Sequence, residues 1–265
     1  MDYIVFDLEW NQSPDGKKYA DSRLPFEIIE IGAVKLNEQR EVVDTFQRLI
    51  KPQVYNWIHD SIHEVIHVDY KDLVDGQPFA QAAGEFLKWC GRDYIFCTWG
   101  NQDVMELQRN MKYYGILSLL PGPVTYYDVQ KIYGICYEEG DERRSLESAI
   151  DQMGIPKALD FHRALTDARY TGEILKKLDL SAVRTNFSID VYQNPKSRKD
   201  EVFISYPTYD KYVSREFTDK EKVMKDREVA STRCPVCHMP AKRRIRWFVN
   251  NSRVYESVSF CQKHG

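Results

Sequence analysis

The sequence has no apolar stretch of the roughly 18–20 residues that a membrane-spanning helix needs, and it has no internal repeat or low-complexity tract. Its first residues, MDYIVFDLEW, carry no basic region, and two acids interrupt their apolar run, so they do not resemble a secretory signal peptide. We therefore expect a soluble, cytoplasmic protein that makes no use of a membrane. A formal net charge of -3 also argues against a protein that holds nucleic acid through bulk positive charge alone.

What the chain does have is enough apolar material for a folded core. Of its 265 residues, 43% are hydrophobic, which suits one large domain or an ordinary domain with a small appendage. The 17 Tyr and 5 Trp supply planar side chains that are useful for stacking on bases. Three of the six cysteines, Cys90, Cys97 and Cys136, lie in apolar or mixed segments and are expected to be reduced thiols in the core.

Strand-like and helix-like patterns alternate along the first part of the chain. Short apolar runs predict strands at 3–8, 27–36, 42–50 and 94–98, and stripes at helical spacing predict helices at 79–90, 104–114, 145–153 and 161–178. This order predicts an α/β architecture, a mixed sheet flanked by helices. We expect that domain to span residues 1–182, followed by a linker or extension at 183–232 and a separate module at 233–265.

Two acids share one face of the first predicted strand. Residues two apart on a strand point to the same side, so Asp7 and Glu9 lie together, opposite Phe6 and Leu8. Neighbouring carboxylates repel each other and lose hydration, and a divalent cation removes that conflict. The alternative interpretation is that the strand ends here and both acids are solvated.

Two later segments carry acids at positions suited to the same site. Asp103 follows the strand at 94–98 and falls in the first turn of the next helix, where α/β folds bind ligands but where the helix dipole also favours an acid. His162 and Asp167 are predicted to lie on the helix at 161–178, roughly 140° apart around its axis. Asp167 can then point towards a metal while His162 stays at the rim; a surface or capping histidine is the alternative.

These three segments, in this order, resemble the motifs of the DEDDh 3′→5′ exonucleases. The motifs read FDLEW at 6–10, WGNQD at 99–103 and HRALTDA at 162–168, and the resemblance covers about residues 1–180. The segments EIIEIGAVKL and RSLESAIDQMGI are also similar to the family, whereas 58–70 lacks the Thr-Gly-Ile signature of many members. The first two motifs are most similar to the branch that contains exoribonucleases of histone mRNA and RNA interference. The resemblance implies an RNase H-like fold.

The resemblance also implies a two-metal mechanism. Asp7, Glu9 and Asp167 would hold one Mg²⁺ or Mn²⁺, and Asp7 and Asp103 would hold or orient a second, partly through water. His162 would act as the general base. The expected products are nucleoside 5′-monophosphates, with single-stranded RNA as the favoured substrate and single-stranded DNA as the alternative.

The C-terminal residues carry two closely spaced pairs of metal-binding side chains. Cys234 and Cys237 precede Cys261 and His264 by some two dozen residues, a spacing typical of a zinc ribbon. Four such ligands predict one closed, structural Zn²⁺ site. His238 is an alternative fourth ligand, and three ordinary thiols with a disordered histidine are the other interpretation.

Basic and aromatic side chains stand between those two pairs. Arg243, Arg244 and Arg246 are followed by Trp247, and Glu256 is the only acid in the interval. This composition is typical of a surface that binds single-stranded nucleic acid, although a solvated hairpin face is the alternative. A second functional hypothesis is therefore a catalytically idle fold that binds nucleic acid through its zinc module.

Some aromatic and histidine residues have two interpretations. Trp10 and Trp99 flank two motifs and could stack on terminal bases, or they could pack beside the sheet. His59, His63 and His67 recur every four residues, as on a metal-binding helix face, but the valine and isoleucine residues among them favour packing.

Overall fold

The computed structural model describes residues 1–13, 17–58, 70–138, 143–158, 161–190, 192–206, 209–230, 232–234, 236–249 and 255–265. They form two compact units, Met1–Gln193 and Asn194–Gly265. The expected linker at 183–232 is thus divided between these units. In the described part of the chain, no helix has the length and apolar character needed to cross a membrane. The histidines at 59, 63 and 67 lie outside the described residues.

The first unit is built on a six-stranded mixed sheet. In chain order its strands are β1 Asp2–Gln12, β2 Phe26–Leu36, β3 Val42–Leu49, β4 Tyr94–Thr98, β5 Val124–Asp128 and β6 Ser188–Asp190. In the sheet they lie in the order β3-β2-β1-β4-β5-β6. β1 is flanked by antiparallel β2 on one side and parallel β4 on the other, and β4 in turn pairs in parallel with β5.

Helices cover both faces of this sheet. They are α1 Tyr70–Leu73, α2 Phe79–Cys90, α3 Gln102–Tyr113, α4 Val129–Tyr137, α5 Leu146–Gln152, α6 Ala164–Lys177 and α7 Leu180–Thr185. The apolar stripes of α2 and α3 pack with Phe6 and Leu8, whereas α4, α5 and α6 pack with Val5 on the opposite face. The predicted α/β architecture, a mixed sheet flanked by helices, is confirmed.

The strand and helix between α3 and α5 were not predicted. The β5 sequence VTYYD combines β-branched and aromatic residues that favour a strand. Asp128 then caps α4, because its Oδ1 atom accepts a hydrogen bond from the backbone N–H of Lys131 at 2.9 Å. Both signals are visible in the sequence.

The second unit contains two antiparallel hairpins and short helices. β7 Val202–Ser205 pairs with β8 Asp210–Val213, and β9 Lys242–Val249 pairs with β10 Tyr255–Phe260; between the hairpins lie α8 Lys220–Lys225 and α9 Arg227–Ala230. Arg215 forms ion pairs with Glu201, before β7, and with Asp226, between the two helices. These ion pairs tie the first hairpin to α8 and α9.

Candidate active site

Asp7 and Glu9 lie within β1, not at its end. The strand continues to Gln12, and the two acids pair across β1–β2 with Gly32 and Glu30. Because β1 pairs with β4 only as far as Val5, both acids lie beyond the carboxyl end of β4. That is the edge at which α/β sheets bind ligands.

Helix α6 packs directly on the sheet beside Asp7. A Cβ atom at Gly32 would lie 2.0 Å from the backbone N of Leu165, so only glycine allows the first turn of α6 to come this close. Asp167, in that first turn, thereby joins the acids of β1. One carboxylate oxygen from each of Asp7, Glu9 and Asp167 lies within 4.8 Å of the other two. We call these three residues the acid cluster.

His162 precedes α6, so its predicted place on that helix was wrong. The helix begins at Ala164 with Arg163 at its cap, and His162 has a left-handed φ of 66° that ends any helical path there. His162 is exposed, as expected for a residue at the rim. Its backbone N–H donates to Oδ2 of Asp167 at 3.2 Å, which keeps the residue beside the acid cluster.

Asp103 reaches β1 from the first turn of α3. Its side chain is 5% exposed, and its Oδ1 atom accepts a hydrogen bond from the backbone N–H of Leu8 at 3.2 Å. Leu8 stands between the two acids of β1, so the contact fixes Asp103 to the same stretch of strand. The turn before α3 uses Gly100 at a φ of 100°, a conformation suited to glycine.

Burial raises the pKa of all four acids, and repulsion from neighbouring carboxylates adds to this effect. The pKa of Asp7 lies well above its usual value, first because of burial and then because of the charges of Asp103 and Glu9. Burial and the charge of Asp167 raise the pKa of Glu9 to about 8, and burial raises the pKa of Asp103 to about 7. Burial also raises the pKa of Asp167 to about 6, although the N–H of His162 opposes this. The four carboxylates together favour a cation or protons.

Arg163 does not supply that cation. Its guanidinium donates two hydrogen bonds, at 3.0 and 3.1 Å, to the carboxylate of Glu30, which is 2% exposed. Among the described residues, no Lys or Arg forms an ion pair with the acid cluster, and the buried Oδ1 atom of Asp167 has no hydrogen-bond partner. An orphaned carboxylate oxygen within a three-acid cluster fits a hard divalent cation such as Mg²⁺ or Mn²⁺.

The two tryptophans beside the motifs are partly buried. The Trp10 ring lies 5.9 Å from that of Phe26 and packs on the core under α2 and α3. Trp99 packs on the opposite core, 5.8 Å from the Tyr133 ring, and its indole N–H donates to the carbonyl of Arg144 at 3.2 Å. Packing against the two cores therefore buries part of each ring.

Residues 4–175 match the family model described as exonuclease. The chain belongs to the exonuclease family. Two curated DNA polymerase III PolC-type proteins are similar to it: the one from Caldanaerobacter subterraneus subsp. tengcongensis is 27% identical over 177 residues, and the one from Clostridium perfringens is 30% identical over 178. These alignments cover 67% and 66% of this chain but only 11% of each relative.

Solved structures share the exonuclease fold. The nuclease domain of 3'hExo, a DEDDh family member bound to rAMP, has a TM-score of 0.60 at 18% identity, covering 71% of this chain and 96% of that one. A second structure shows 3'-end specific recognition of the histone mRNA stem-loop by a 3'-exonuclease. Its TM-score is 0.59 at 17% identity, and the match covers 80% of this chain and 90% of that one. The family and the RNase H-like fold implied by the three motifs are confirmed.

The exonuclease match ends before the C-terminal cysteines, which gather in the second unit. The Sγ atom of Cys234 lies 3.4 Å from Nδ1 of His264, and the Sγ atoms of Cys237 and Cys261 lie 3.8 Å apart. All four ligand atoms lie within 4.8 Å of one another, and His238 is not among them. Three thiols and an imidazole at this spacing fit a tetrahedral Zn²⁺ site.

The backbone around Cys234 prepares its thiol for a metal. Its N–H donates to the carbonyl of Met239 at 2.9 Å, and its carbonyl accepts from the N–H of His238 at 2.8 Å, closing a tight turn. Within that turn the backbone N–H of Cys237 lowers the pKa of Cys234 to about 6. The thiolate, which is the form that binds zinc, is therefore favoured at neutral pH.

The structure divides the residues predicted to bind nucleic acid. On β9, Arg244 and Arg246 are exposed, whereas Arg243 and Trp247 are partly buried. Sequence reasoning did not separate these two pairs.

Proposed function

We propose that this chain is a divalent-metal-dependent 3′→5′ exonuclease that releases nucleoside 5′-monophosphates, with single-stranded RNA as its preferred substrate. The observation that carries the proposal is the acid cluster of Asp7, Glu9 and Asp167, whose oxygens lie within 4.8 Å of one another. Family membership supplies the reaction class. The raised pKa values show that negative charge on these acids is unfavourable without a counter-charge, and a bound cation would supply one.

Each acid has a role in holding the ions. Asp7, Glu9 and Asp167 bind one Mg²⁺ or Mn²⁺, and Asp7 together with Asp103 holds or orients a second. Divalent ions bound there polarise the scissile phosphate and increase the acidity of water. The structure of S. pombe Pop2p, a Mg²⁺- and Mn²⁺-bound form with a TM-score of 0.50, 19% identity and coverage of 66% of this chain and 81% of that one, supports the choice of ions.

His162 serves as the general base in this proposal. Its side chain is exposed at the rim, while its backbone N–H is tied to Asp167 of the acid cluster. An imidazole at this position can accept a proton from the attacking water and pass it to solvent.

RNA is the first candidate substrate because two proteins of similar structure bind a ribonucleotide or RNA: the 3'hExo domain binds rAMP, and the other 3'-exonuclease recognises the histone mRNA stem-loop. Single-stranded DNA is the second candidate, because the curated relatives are DNA polymerase III PolC-type proteins. In either case the second unit holds one structural Zn²⁺ through Cys234, Cys237, Cys261 and His264.

The proposal is tested with single strands of RNA and DNA, labelled at either end, in the presence of Mg²⁺, Mn²⁺ or neither. We expect a 5′-labelled strand to shorten progressively, a 3′ label to leave at once as a nucleoside 5′-monophosphate, and RNA to be degraded faster than DNA. Internal cleavage products, nucleoside 3′-monophosphates or a complete lack of cleavage would overturn it.

Two matched variants test the base. His162→Asn is expected to lose most activity, because asparagine tolerates the left-handed backbone but cannot act as a base. His238 also has a left-handed φ, of 55°, and lies outside both clusters, so His238→Asn should retain activity. Equal activities of the two variants would contradict the assigned role.

A further inference from the structure

The two units carry opposite net charges. Asn194–Gly265 contains 16 Lys and Arg against 9 Asp and Glu, whereas Met1–Gln193 contains 21 against 31. The overall charge of -3 therefore conceals a second unit of +7 and a first unit of -10. A polyanion is attracted to the second unit, where five of the basic residues and a single acid lie between Cys237 and Cys261.

Within the β9–β10 hairpin, Arg243 and Trp247 are occupied by the unit's own packing. One guanidinium N–H of Arg243 donates to the carbonyl of Ala230, at the end of α9, over 2.8 Å. The same guanidinium lies over the Trp247 ring, 5.1 Å from its centre, and the indole nitrogen is buried. These contacts join the hairpin to α9.

Other basic and aromatic side chains on the strands β9 and β10 are exposed. Arg244 and Arg246 alternate with the packed residues along β9, and Phe248 is 42% exposed. Phe260 on β10 is 37% exposed, and the guanidinium of Arg244 lies 5.5 Å from its ring centre. We call these exposed side chains, with Lys242 opposite Phe260, the outer face: Lys242, Arg244, Arg246, Phe248 and Phe260.

We propose that the outer face binds single-stranded RNA, with phosphates on its cations and bases stacked on Phe248 and Phe260. Exposed rings beside cations suit a strand whose bases are unpaired, because any base offers a flat face for stacking. Arg243 and Trp247 hold the hairpin in place and do not contact the strand. The proposal rests on the proposed exonuclease only for its substrate: a strand bound to this unit is at high effective concentration for the rest of the same chain.

The test measures binding without turnover. Full-length protein carrying Asp7→Asn is titrated into a fluorescent single-stranded oligouridine of roughly 15 nucleotides, and anisotropy is followed over a range of salt concentrations. No chelator is used, so the zinc site is left intact. Each outer-face variant is compared with this parent, and its zinc content is measured to verify that the module is folded.

Arg244→Gln with Arg246→Gln should weaken binding by roughly tenfold or more and reduce the salt slope of the logarithm of affinity by about 1.4, since each phosphate contact on a single strand contributes about 0.7. The matched control is Lys220→Gln with Lys225→Gln, which removes the same charge from exposed positions on α8. The control should bind within about twofold of the parent. Equal losses in the two double variants would overturn the proposal, because they would indicate attraction by bulk charge.

Phe248→Leu with Phe260→Leu should weaken binding by about fivefold or more with an unchanged salt slope, because leucine keeps apolar bulk but cannot stack. A fully paired RNA duplex should bind more weakly than the single strand and be insensitive to this change. Tight duplex binding, or single-strand binding that ignores both rings, would contradict the assignment.

These results are separable from the exonuclease proposal. If the wild-type protein fails to cleave any strand but the outer-face variants still weaken binding, the outer face stands and the proposed activity fails. If the wild-type protein cleaves and the outer-face variants bind RNA as the parent does, the proposed activity stands and the outer-face proposal fails.

Discussion

Glu9 faces Glu30 across the β1–β2 pair, and burial together with the charge of Asp167 raises its pKa from 4.5 to about 8. The folded, metal-free protein therefore keeps a proton on this carboxyl at pH values where the unfolded chain has already released it. The contribution of such a group to stability is greatest at low pH and is lost as the pH rises from about 4.5 to about 8.

Replacing Glu9 tests this directly. At pH 8, without Mg²⁺ or Mn²⁺, Glu9→Gln should melt a few degrees higher than wild type, at roughly 2–4 °C per kcal/mol for a domain of this size. The difference should shrink as the pH is lowered towards 4.5, and saturating Mn²⁺ should reverse it, because the wild type gains more from the ion. Scanning calorimetry measures the two melting temperatures at pH 8, at lower pH and with Mn²⁺. A difference in melting temperature that depends on neither pH nor metal would contradict the electrostatic account.

At the scale of single residues, the sequence pointed to the acids but not to the contacts that surround them. Asp7, Glu9, Asp103, His162 and Asp167 could be named because short motifs carry them. The pairing of Arg163 with Glu30 joins residues 133 positions apart, and no local pattern indicates it. An acid inside the apolar run EIIEIG was the one available signal that a buried charge needed a partner.

The packing of α6 on β2 is the contact between elements on which the acid cluster depends. Gly32→Ala would bring a Cβ atom within 2.0 Å of the backbone of Leu165, and backbone cannot move as a flexible side chain can. We expect a loss of at least the 1–3 kcal/mol typical of overpacking, together with loss of activity as Asp167 moves away. Urea unfolding and nuclease assays measure the two effects.

Gly84 provides the matched control for that change. It lies within α2, and a Cβ atom there would meet no heavy atom within 4 Å. Because alanine favours helix by up to about 1 kcal/mol over glycine, Gly84→Ala should preserve or raise stability and leave activity unchanged. Similar losses in both variants would refute the role given to the close approach at Gly32.

Element boundaries show where sequence patterns are informative. The helix predicted at 79–90 and the strand predicted at 94–98 have those bounds in the structure, because apolar periodicity and turn residues coincide there. The start of α6 was placed too early, because Phe161 and Leu165 extend the apolar stripe and Arg163 caps the helix without a side-chain hydrogen bond. A capping serine or aspartate would have marked the true boundary.

At the scale of the whole molecule, the exonuclease match and the cysteine cluster lie in separate compact units. The segment at 202–232 gave no clear pattern, since ion pairs between residues distant in sequence, such as Arg215 with Glu201 and Asp226, hold it together. Periodicity detects apolar faces and does not detect contacts of this kind.

Zinc is expected at one ion per chain. Cys237→Ser should lower that content and the thermal stability of the second unit, because structural zinc contributes to folding. Cys136→Ser is the matched control. The expectation that Cys136 lies in the core was wrong: it is an exposed thiol of the first unit, outside the cluster. Metal analysis and thermal melting of both variants measure the effect, and undiminished zinc in Cys237→Ser would exclude this residue as a ligand.

The most direct test of the central claim compares two charge-removing variants on the same helix. Asp167 belongs to the acid cluster, whereas Glu173 of α6 is 46% exposed and pairs with Lys176. Degradation of 5′-labelled single-stranded RNA with Mn²⁺ is measured for Asp167→Asn and Glu173→Gln. We predict that Asp167→Asn loses at least about 100-fold in rate, of the size seen when an electrostatic stabiliser of the transition state is removed, while Glu173→Gln keeps the wild-type rate. Wild-type degradation by Asp167→Asn would contradict a metal-dependent reaction at this site.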